Sequence, residues 1–394
     1  MRGRVVVVGA SAAGVAACIG LRAAGYDGEV VLVGEEPHAP YERPPLSKQL
    51  LCGAVEAEGI GLPAARKLAE ANVIQRLGCR ATRLDVADAV VELDHREELA
   101  FDGMVIATGS TARRLPGQPQ ARGLHVLRTL DHALALRSEL AAARHVAVIG
   151  AGFIGLEVAA SARSLGVAAT VVESAPAPLA RVLGADVGAR FAELHETRGV
   201  DVRCGVAVAG LRVADGRVAG VELEGGASID AEVVVVGIGS APATDWLAGS
   251  GLSVDDGLVC DAMLRAAPTI YGAGDVARWE HPLFGSIRVE HRMTAAEHGR
   301  AAAQNLAAEL AGRSDDAKPA DQVPSFWSDQ YDVKVMTVGW LAGYDEVREC
   351  LEGDAGRGFL FGREGRLVAA MGWNAPAFVA RQRKAVAAGS PLAQ

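Results

Sequence analysis

Two glycine-rich turns constrain the fold of this chain more than any other feature, because each lies between a β-branched run and an alanine-rich stretch. Each pattern predicts a buried parallel strand that turns into a helix, whose free N–H groups and positive dipole end can bind a pyrophosphate. Two copies therefore predict two bound dinucleotides. The turn residues are Gly9, Ser11, Ala12, Ala13 and Gly14 in the first copy, and Gly150, Gly152, Phe153, Ile154 and Gly155 in the second.

An acidic residue follows each turn at the end of the next apolar run. These residues are Glu35 and Glu173. A carboxylate at this point can accept hydrogen bonds from the ribose hydroxyls of an adenosine. Glu173 would also repel a 2′-phosphate, and the following Ser174 and Ala175 supply no arginine to receive one. The second unit is therefore predicted to prefer NADH to NADPH.

The composition suits packed α/β layers, with 394 residues, a hydrophobic fraction of 50% and 47 glycines. The net charge of −9 argues against a general nucleic-acid or anionic-membrane surface, so neither is predicted as a partner. Six scattered cysteines lack zinc-like spacing, which predicts no metal site and indicates a reducing compartment. The apolar run Val5–Leu21 superficially resembles a signal peptide, but the strand, turn and helix pattern explains it better. We therefore expect a soluble, cytoplasmic protein.

Both turn-bearing units end in a strand that leads into a glycine. The residues at these ends are Thr108 and Gly109 in the first unit, and Ile238 and Gly239 in the second. A further short strand then turns through Gly274 onto Asp275, and a helix is predicted at Thr294–Leu310. Polar residues 312–322 are typical of a linker. The alternation of apolar and polar residues from 323 to about 370 predicts a small antiparallel domain.

Several specific motifs occur in a fixed order along nearly the whole chain. Besides the two turns, they are Pro40–Lys48, Ala107–Gly109, Gly274–Val276 and Phe326–Gln330. In this order they resemble the FAD-dependent, NADH-dependent ferredoxin reductases that serve bacterial cytochromes P450 and aromatic-ring dioxygenases. The Pro-Pro-Leu-Ser-Lys and Trp-Ser-Asp-Gln stretches carry most of the resemblance, because they are not general features of dinucleotide-binding folds.

The resemblance implies an α/β architecture: two Rossmann-like dinucleotide-binding domains of the glutathione reductase type and a small α+β C-terminal domain. The implied domains are a discontinuous FAD-binding domain at 1–112 and 243–322, an NAD-binding domain at 113–242 and a C-terminal domain at 323–394. It also implies FAD and NAD as cofactors. Electrons would pass from NADH to FAD as a hydride and leave singly to a small iron–sulfur ferredoxin, which would serve a P450 or a ring-hydroxylating dioxygenase.

Carried over position by position, the resemblance assigns a set of residues to FAD. They are Ala13, Glu35, Lys48, Ala81, Arg128, Asp275 and Arg292, together with Arg43, Thr108, Gly109, Gly274, Glu290 and Trp327. The residues assigned to NAD binding are Ile238 and Gly239, together with the second turn and Glu173.

Several of these positions have plainer interpretations. Asp275 could instead cap the next helix, Arg43 could form a surface salt bridge, and Trp327 could be an ordinary core residue. Arg128 could be a solvated cation at a helix start, and Ala81 could be only a strand residue.

Lys48 and Glu157 are the predicted catalytic pair. In the resembled family the corresponding lysine and glutamate lie beside flavin N5 and pair with one another. From the residues alone, Glu157 is predicted to be an acid in the first helical turn after Gly155, where it would interact favourably with the helix dipole. Lys48 is predicted to be an exposed loop cation. A buried pair would have to be mutually satisfied, since an unpaired buried charge costs several kcal/mol.

Arg292 is a candidate for ferredoxin docking, with Arg288 nearby in the sequence. In the resembled family the backbone at this helix start faces the flavin C2=O, but many relatives have tryptophan where this chain has Arg292, and glutamine where it has His298. The alternative is that Arg292 only pairs with Glu290 or another neighbouring acid.

Two other functions remain open from the sequence. A thiol-based reductase, peroxidase or NADH oxidase would need a reactive cysteine, for which Cys52 is the one candidate near Lys48, although it has no partner cysteine. A non-catalytic, NADH-responsive flavoprotein would not need to retain the two acids or the lysine. The presence of Glu35, Glu173 and Lys48 therefore favours a catalytic function.

Overall fold

A computed structural model describes residues 3–351 and 356–392, and the chain divides into two compact units. Unit 1 comprises Met1–Glu42, Ile60–Thr111 and Ala241–Phe326, and unit 2 comprises Arg43–Gly59, Ala112–Ser240 and Trp327–Gln394. The described residues form six α-helices: α1 (Ala12–Ala23), α2 (Leu130–Leu140), α3 (Phe153–Ser164), α4 (Ala180–Thr197), α5 (Arg292–Leu310) and α6 (Pro376–Ala387). None of these helices combines the length and the apolar composition that a membrane span requires.

Unit 1 is built on a six-stranded sheet whose inner strands are parallel. In spatial order its strands are β19 (Arg265–Ala267), β20 (Ile270–Gly272), β7 (Gly103–Ile106), β1 (Arg4–Val8), β2 (Glu29–Gly34) and β3 (Val73–Leu77). Val5–Val8 are buried on both faces of β1, which explains their continuous β-branched run. Helices α1 and α5 pack together, and α5 begins two residues before the predicted start.

Three smaller sheets contain further short strands between residues 81 and 288. They are β4 (Ala81–Asp85), β5 (Val90–Leu93) and β6 (Glu98–Ala100); β18 (Leu258–Cys260), β21 (Ala277–His281) and β22 (Gly285–Arg288); and the pair β8 (Ser110–Ala112) and β17 (Ser240–Pro242).

Unit 2 contains a second parallel sheet with the same strand, turn and helix arrangement. Its strands in spatial order are β12 (Val200–Cys204), β11 (Ala168–Glu173), β10 (His145–Ile149), β16 (Val233–Val236) and β9 (Leu124–His125). A three-stranded sheet follows α4 and β12 in sequence: β13 (Val208–Ala214), β14 (Arg217–Leu223) and β15 (Ser228–Asp230). Its apolar face contributes to the core beside the parallel sheet, where Val221 and Ala147 are both fully buried.

The C-terminal part of the chain forms an antiparallel sheet and one helix, as the alternating pattern predicts. The strands in spatial order are β23 (Ser325–Gln330), β24 (Val333–Gly339), β27 (Arg366–Trp373), β26 (Arg357–Arg363) and β25 (Glu346–Leu351). Helix α6 packs on β24 and β27. The overall α/β class and the small α+β C-terminal domain are therefore confirmed.

Candidate functional site

The first glycine-rich turn joins β1 to α1 and has a geometry that requires glycine. Gly9 has φ of +119°, and a Cβ there would overlap the backbone oxygen of Ala107. A Cβ at Gly14 would overlap the backbone oxygen of Gly9. Ser11 is the N-cap of α1, but its side chain does not bond the helix. The hydroxyl and the first N–H groups of α1 therefore form a cradle that fits a pyrophosphate.

The second turn joins β10 to α3 in unit 2 and repeats this geometry. Gly150 has φ of +101°, and a Cβ at Gly155 would overlap the backbone oxygen of Gly150. At Gly152, the N-cap of α3, no atom lies within 4 Å of the position that a Cβ would take. The turn is thus tight where it packs and open at Gly152, beside the first N–H groups of α3, which have no acceptor within the helix. This open position fits a second pyrophosphate.

The two acids lie at the carboxyl ends of corresponding strands. Glu173, at the end of β11, accepts hydrogen bonds from the backbone N–H groups of Ala151 and Ala175, each at 2.8 Å. It is therefore placed against the second turn, as a ribose-binding acid must be. Glu35 directly follows β2 and is largely exposed, with Arg80 Nε 3.7 Å from its Oε1.

Gly274 and Asp275 lie beside the first helix within unit 1. Gly274 has φ of +77°, and a Cβ there would lie 3.0 Å from the Cβ of Ala13. The Ser110 hydroxyl donates to Asp275 Oδ2 at 3.3 Å. The N-cap residue of α5 is His291 and not Asp275. The binding of the cofactor by Asp275 stays a prediction.

The start of α5 carries buried polar atoms for which the described residues offer no partner. These are Nδ1 of His291 and Oγ1 of Thr294. Burial lowers the pKa of His291 to about 4, so its ring is neutral at pH 7. Unpaired buried polar atoms are costly, and here they accompany the free N–H groups of a helix N-terminus. This set of groups fits the polar edge of a flavin.

Arg292, in the first turn of α5, is bound by an acid. Its Nε donates to Glu42 Oε2 at 2.7 Å, and its Nη2 donates to Glu42 Oε1. This pairing raises the pKa of Arg292. Arg288 Nη1 donates to Glu290 Oε1 at 2.6 Å. The structure therefore favours the alternative in which Arg292 pairs with a neighbouring acid, although that acid is Glu42 and not Glu290.

The predicted catalytic pair is formed within unit 2. Lys48 Nζ lies 3.0 Å from Glu157 Oε1, and the two side chains are 10% and 6% exposed. Lys48 follows the short 3₁₀ turn Pro44–Ser47, and Glu157 is the fifth residue of α3. The expectation that Glu157 lies in the first turn of the helix is thus wrong by one residue. Lys48 is likewise not an exposed loop cation.

Two serines complete the surroundings of Glu157. The Ser47 hydroxyl donates to Oε2, and the Ser328 hydroxyl donates to Oε1 at 2.6 Å. A carboxylate that accepts from two hydroxyls and an ammonium group is satisfied despite its burial. The sequence reasoning did not identify either serine, although each lies inside a motif that it singled out.

The remaining unit 1 candidates lie in backbone or sheet positions. Thr108 Oγ1 donates to the backbone oxygen of Ala243 at 2.8 Å, and Gly109 has φ of +73°. Ala81 is buried at the start of β4 and pairs with Leu93 of β5.

The remaining unit 2 candidates include one direct contact. Arg43 Nη1 donates to the backbone oxygen of Arg128 at 2.7 Å. Trp327 is half-buried on β23, and Ile238 and Gly239 follow β16, with Gly239 at φ of +102°. The candidate FAD residues are therefore divided: Arg43, Lys48, Arg128 and Trp327 belong to unit 2, and the others belong to unit 1.

All six cysteines are free thiols, and none forms a disulfide bond. Cys52 Sγ lies 3.2 Å from Ser164 Oγ and contacts the backbone oxygen of Ser161, both on α3. These thiol contacts are both to α3, whereas the backbone N–H of Cys52 donates to the backbone oxygen of Lys48 at 2.9 Å. In residues 3–351 and 356–392, no cluster of three or more histidine, cysteine or acidic side chains could hold a metal ion.

Comparison with known proteins connects this geometry to a family. The family model described as pyridine nucleotide-disulphide oxidoreductase matches residues 3–302, and a second model, described as reductase C-terminal, matches residues 325–394. The chain belongs to this family.

Individual relatives agree with the assignment. Rhodocoxin reductase of Rhodococcus erythropolis is 39% identical over 86% of this chain and 79% of its own length. The ferredoxin–NAD(+) reductase component of the anthranilate 1,2-dioxygenase system of Burkholderia cepacia is 37% identical over 98% of this chain and 94% of its own. Among solved structures, the covalent putidaredoxin reductase–putidaredoxin complex matches with a TM-score of 0.92 and 32% identity, covering 99% of this chain and 94% of that chain.

These comparisons confirm the family that the sequence motifs indicate, together with its fold. The chain is an oxidoreductase of the FAD-dependent class that uses FAD and NAD(H). The expected function, reduction of a ferredoxin, is the one that the relatives' names describe.

Proposed function

We propose that this protein passes electrons from NADH, through FAD, to a small iron–sulfur ferredoxin. The observation that carries the proposal is the buried Lys48–Glu157 pair, because it places a satisfied charge pair on the helix that begins at the second dinucleotide turn. A packing role alone would not favour burial of an ion pair, since apolar residues of similar volume stabilise a core at least as well.

Each dinucleotide has a matching set of residues. We assign the FAD pyrophosphate to the turn from Gly9 to Gly14 and the NADH pyrophosphate to the turn from Gly150 to Gly155. Glu35 and Glu173 would bind the respective adenosine riboses, and Ile238 and Gly239 would line the nicotinamide side. The FAD-binding, NAD-binding and C-terminal domains would then follow the boundaries expected from the sequence.

The chemistry comes from the flavin, which when bound accepts a hydride from NADH and releases electrons one at a time. The protein's part is alignment. Lys48 and Glu157 would contact the reacting edge of the flavin and the nicotinamide, and Ser47 and Ser328 would hold the Glu157 carboxylate still. The N–H groups at the start of α5 would favour negative charge on the reduced flavin.

The acceptor is proposed to be a ferredoxin of a P450 or aromatic-ring dioxygenase system, on the strength of the relatives' names. A net charge of −9 gives no long-range attraction to an acidic ferredoxin, so docking would depend on local contacts. The location is proposed to be the cytoplasm, because six free thiols and a supply of NADH suit a reducing compartment.

The test is reduction of cytochrome c by NADH and the purified FAD-loaded protein, with and without a ferredoxin from such a system. Rapid bleaching of the flavin by NADH, and fast cytochrome c reduction only when ferredoxin is present, would support the proposal. Fast reduction of oxygen or of a disulfide, with no stimulation by any ferredoxin, would favour the thiol or oxidase function.

A further inference from the structure

A line of hydrogen-bonded polar side chains extends from Glu157 to Tyr331. Ser328 Oγ donates to Glu157 Oε1 at 2.6 Å, and Gln330 Nε2 donates to Ser328 Oγ at 3.1 Å. Gln330 Oε1 lies 2.9 Å from His195 Nε2, and the Tyr331 hydroxyl lies 3.1 Å from His195 Nδ1. All five residues belong to unit 2.

The part of the line from Glu157 to His195 is almost completely removed from water, whereas Tyr331 at its outer end is half-buried. Ser328 is 1% exposed, and Gln330 and His195 are both fully buried. Ser328 and Gln330 are two residues apart on β23, so they project from the same face of the strand. His195 lies in the last turn of α4.

The number of hydrogens at each link allows only one direction of donation. A carboxylate oxygen only accepts, so the single hydroxyl hydrogen of Ser328 must point to Glu157. Ser328 Oγ must then accept from the Gln330 amide nitrogen, which leaves the Gln330 oxygen to accept from His195 Nε2–H.

Burial sets the state of the outer two residues. In a neutral ring with Nε2 protonated, His195 Nδ1 is an acceptor, and Tyr331 must donate to it. Burial lowers the pKa of His195, which agrees with a neutral ring. Burial also raises the pKa of Tyr331 to about 12, so the phenol retains the hydrogen that it must donate.

We propose that Ser328, Gln330 and His195 are positioning residues for hydride transfer, which orient the Glu157 carboxylate through this one-way hydrogen-bond chain. Each donor polarises the next, so the chain strengthens the final bond to Glu157. The chain also makes the rotamer of Glu157, and with it the Lys48–Glu157 contact, depend on β23 and α4. This inference rests on the proposed function, because it assumes that the pair acts in flavin reduction.

The direct test of the chain is the tautomer of His195, measured by ¹⁵N NMR on the FAD-loaded protein with labelled histidine. The His195→Gln variant identifies the signal. We expect a neutral ring with the hydrogen on Nε2 at pH 7, and loss of this preference in Gln330→Leu. A hydrogen on Nδ1, or a doubly protonated ring, would overturn the direction of the chain.

The test of its role is flavin reduction by NADH under anaerobic stopped-flow conditions. We expect Ser328→Ala to slow reduction at saturating NADH about tenfold while the Kd for NADH stays within about twofold, because positioning and not binding is lost. Ser328→Thr should restore most of the rate because it keeps the hydroxyl. Thr337→Val is the matched control, since it removes a hydroxyl that is 2% exposed from the neighbouring strand β24.

Flavin reduction in Lys48→Met, measured in parallel, tests the role of the Lys48–Glu157 pair separately from the positioning role of Ser328. If Lys48→Met slows reduction and Ser328→Ala behaves like Thr337→Val, the positioning role is wrong and the role of the pair stands. If Lys48→Met has no effect, the proposed role of the pair is wrong, and the positioning role fails with it, whatever tautomer His195 shows.

Discussion

Lys48 Nζ and Glu157 Oε1 lie 3.0 Å apart with little exposure of either side chain, although more than 100 residues separate them in sequence. The contact joins the Pro-Pro-Leu-Ser-Lys motif to the helix of the second dinucleotide turn. Removing either partner would leave an uncompensated buried charge, which costs several kcal/mol. The pair therefore links the folding of unit 2 to the chemistry proposed for it.

Cofactor choice follows from Glu173. Its carboxylate is held against the second turn by two backbone N–H groups, where it would repel the 2′-phosphate of NADPH. We expect kcat/KM for NADH to exceed that for NADPH at least tenfold, about 1.4 kcal/mol. Glu173→Ala should reduce the ratio. Equal efficiency of the wild-type enzyme with the two cofactors would show that Glu173 does not select between them.

Substitution of two glycines in the second turn should have different effects, one on stability and the other on NADH binding. Gly155→Ala places a Cβ against the backbone oxygen of Gly150, and we expect it to destabilise the protein by about 1–3 kcal/mol. Gly152→Ala meets no atom within 4 Å, so stability should be unchanged. Its methyl group would instead occupy the approach to the helix N-terminus and raise the Kd for NADH about tenfold.

Thermal unfolding and NADH titration of both variants distinguish these outcomes. A Gly152→Ala variant that binds NADH like the wild type would remove that turn from the pyrophosphate site.

Arg292 is expected to stabilise unit 1 and not to dock the ferredoxin, because Glu42 binds its guanidinium group at two points. Arg292→Ala should leave the KM for ferredoxin within about twofold at low ionic strength, because we expect Arg292 to make no contact with the ferredoxin. It should lower the thermal midpoint. A severalfold rise in that KM, with a flatter dependence on salt, would return Arg292 to the docking surface.

Two buried histidines of unit 1 should make the protein sensitive to acid. Burial lowers the pKa of His298 to about 3 and that of His291 to about 4, whereas both should titrate near 6.5 when unfolded. The unfolded chain therefore binds more protons below about pH 6.5, and the free energy of unfolding falls as the pH falls towards 4.

Substitution of His298 tests this origin of acid sensitivity. His298→Gln should reduce the slope of stability against pH in that window by up to about 1.4 kcal/mol per pH unit. The exposed His95 provides the control through His95→Gln, which should leave the slope unchanged. Denaturant unfolding of the FAD-loaded protein between pH 4 and 7 measures both, and identical slopes for all three proteins would exclude His298 as a cause.

Local patterns in the sequence were sufficient to predict the two turns, the strands on either side of them and the antiparallel C-terminal sheet. Gly9 and Gly150 are predictable because a positive φ and a close backbone approach tolerate only glycine. Lys48 and Glu157 were paired through the family resemblance, since neither residue carries a local signal of burial.

Contacts between distant segments could not be predicted in this way. The Arg292–Glu42 pair joins residues 250 positions apart, and nothing near Arg292 indicates which acid it meets. His195 reads as an ordinary helix residue, because its burial depends on packing against a strand more than 100 residues later. Ser328 lies within a recognised motif, but its role appears only when that strand meets Glu157.

The most direct measurement of the central claim is the rate of flavin reduction by NADH in Lys48→Met and Cys52→Ser, followed at the flavin absorbance without oxygen. We expect Lys48→Met to slow reduction about tenfold or more, because the reacting edge loses a positioning group. Cys52→Ser should reduce at the wild-type rate, since its thiol contacts α3 through Ser161 and Ser164. Loss of reduction in Cys52→Ser with an unchanged rate in Lys48→Met would contradict the account and establish a thiol mechanism.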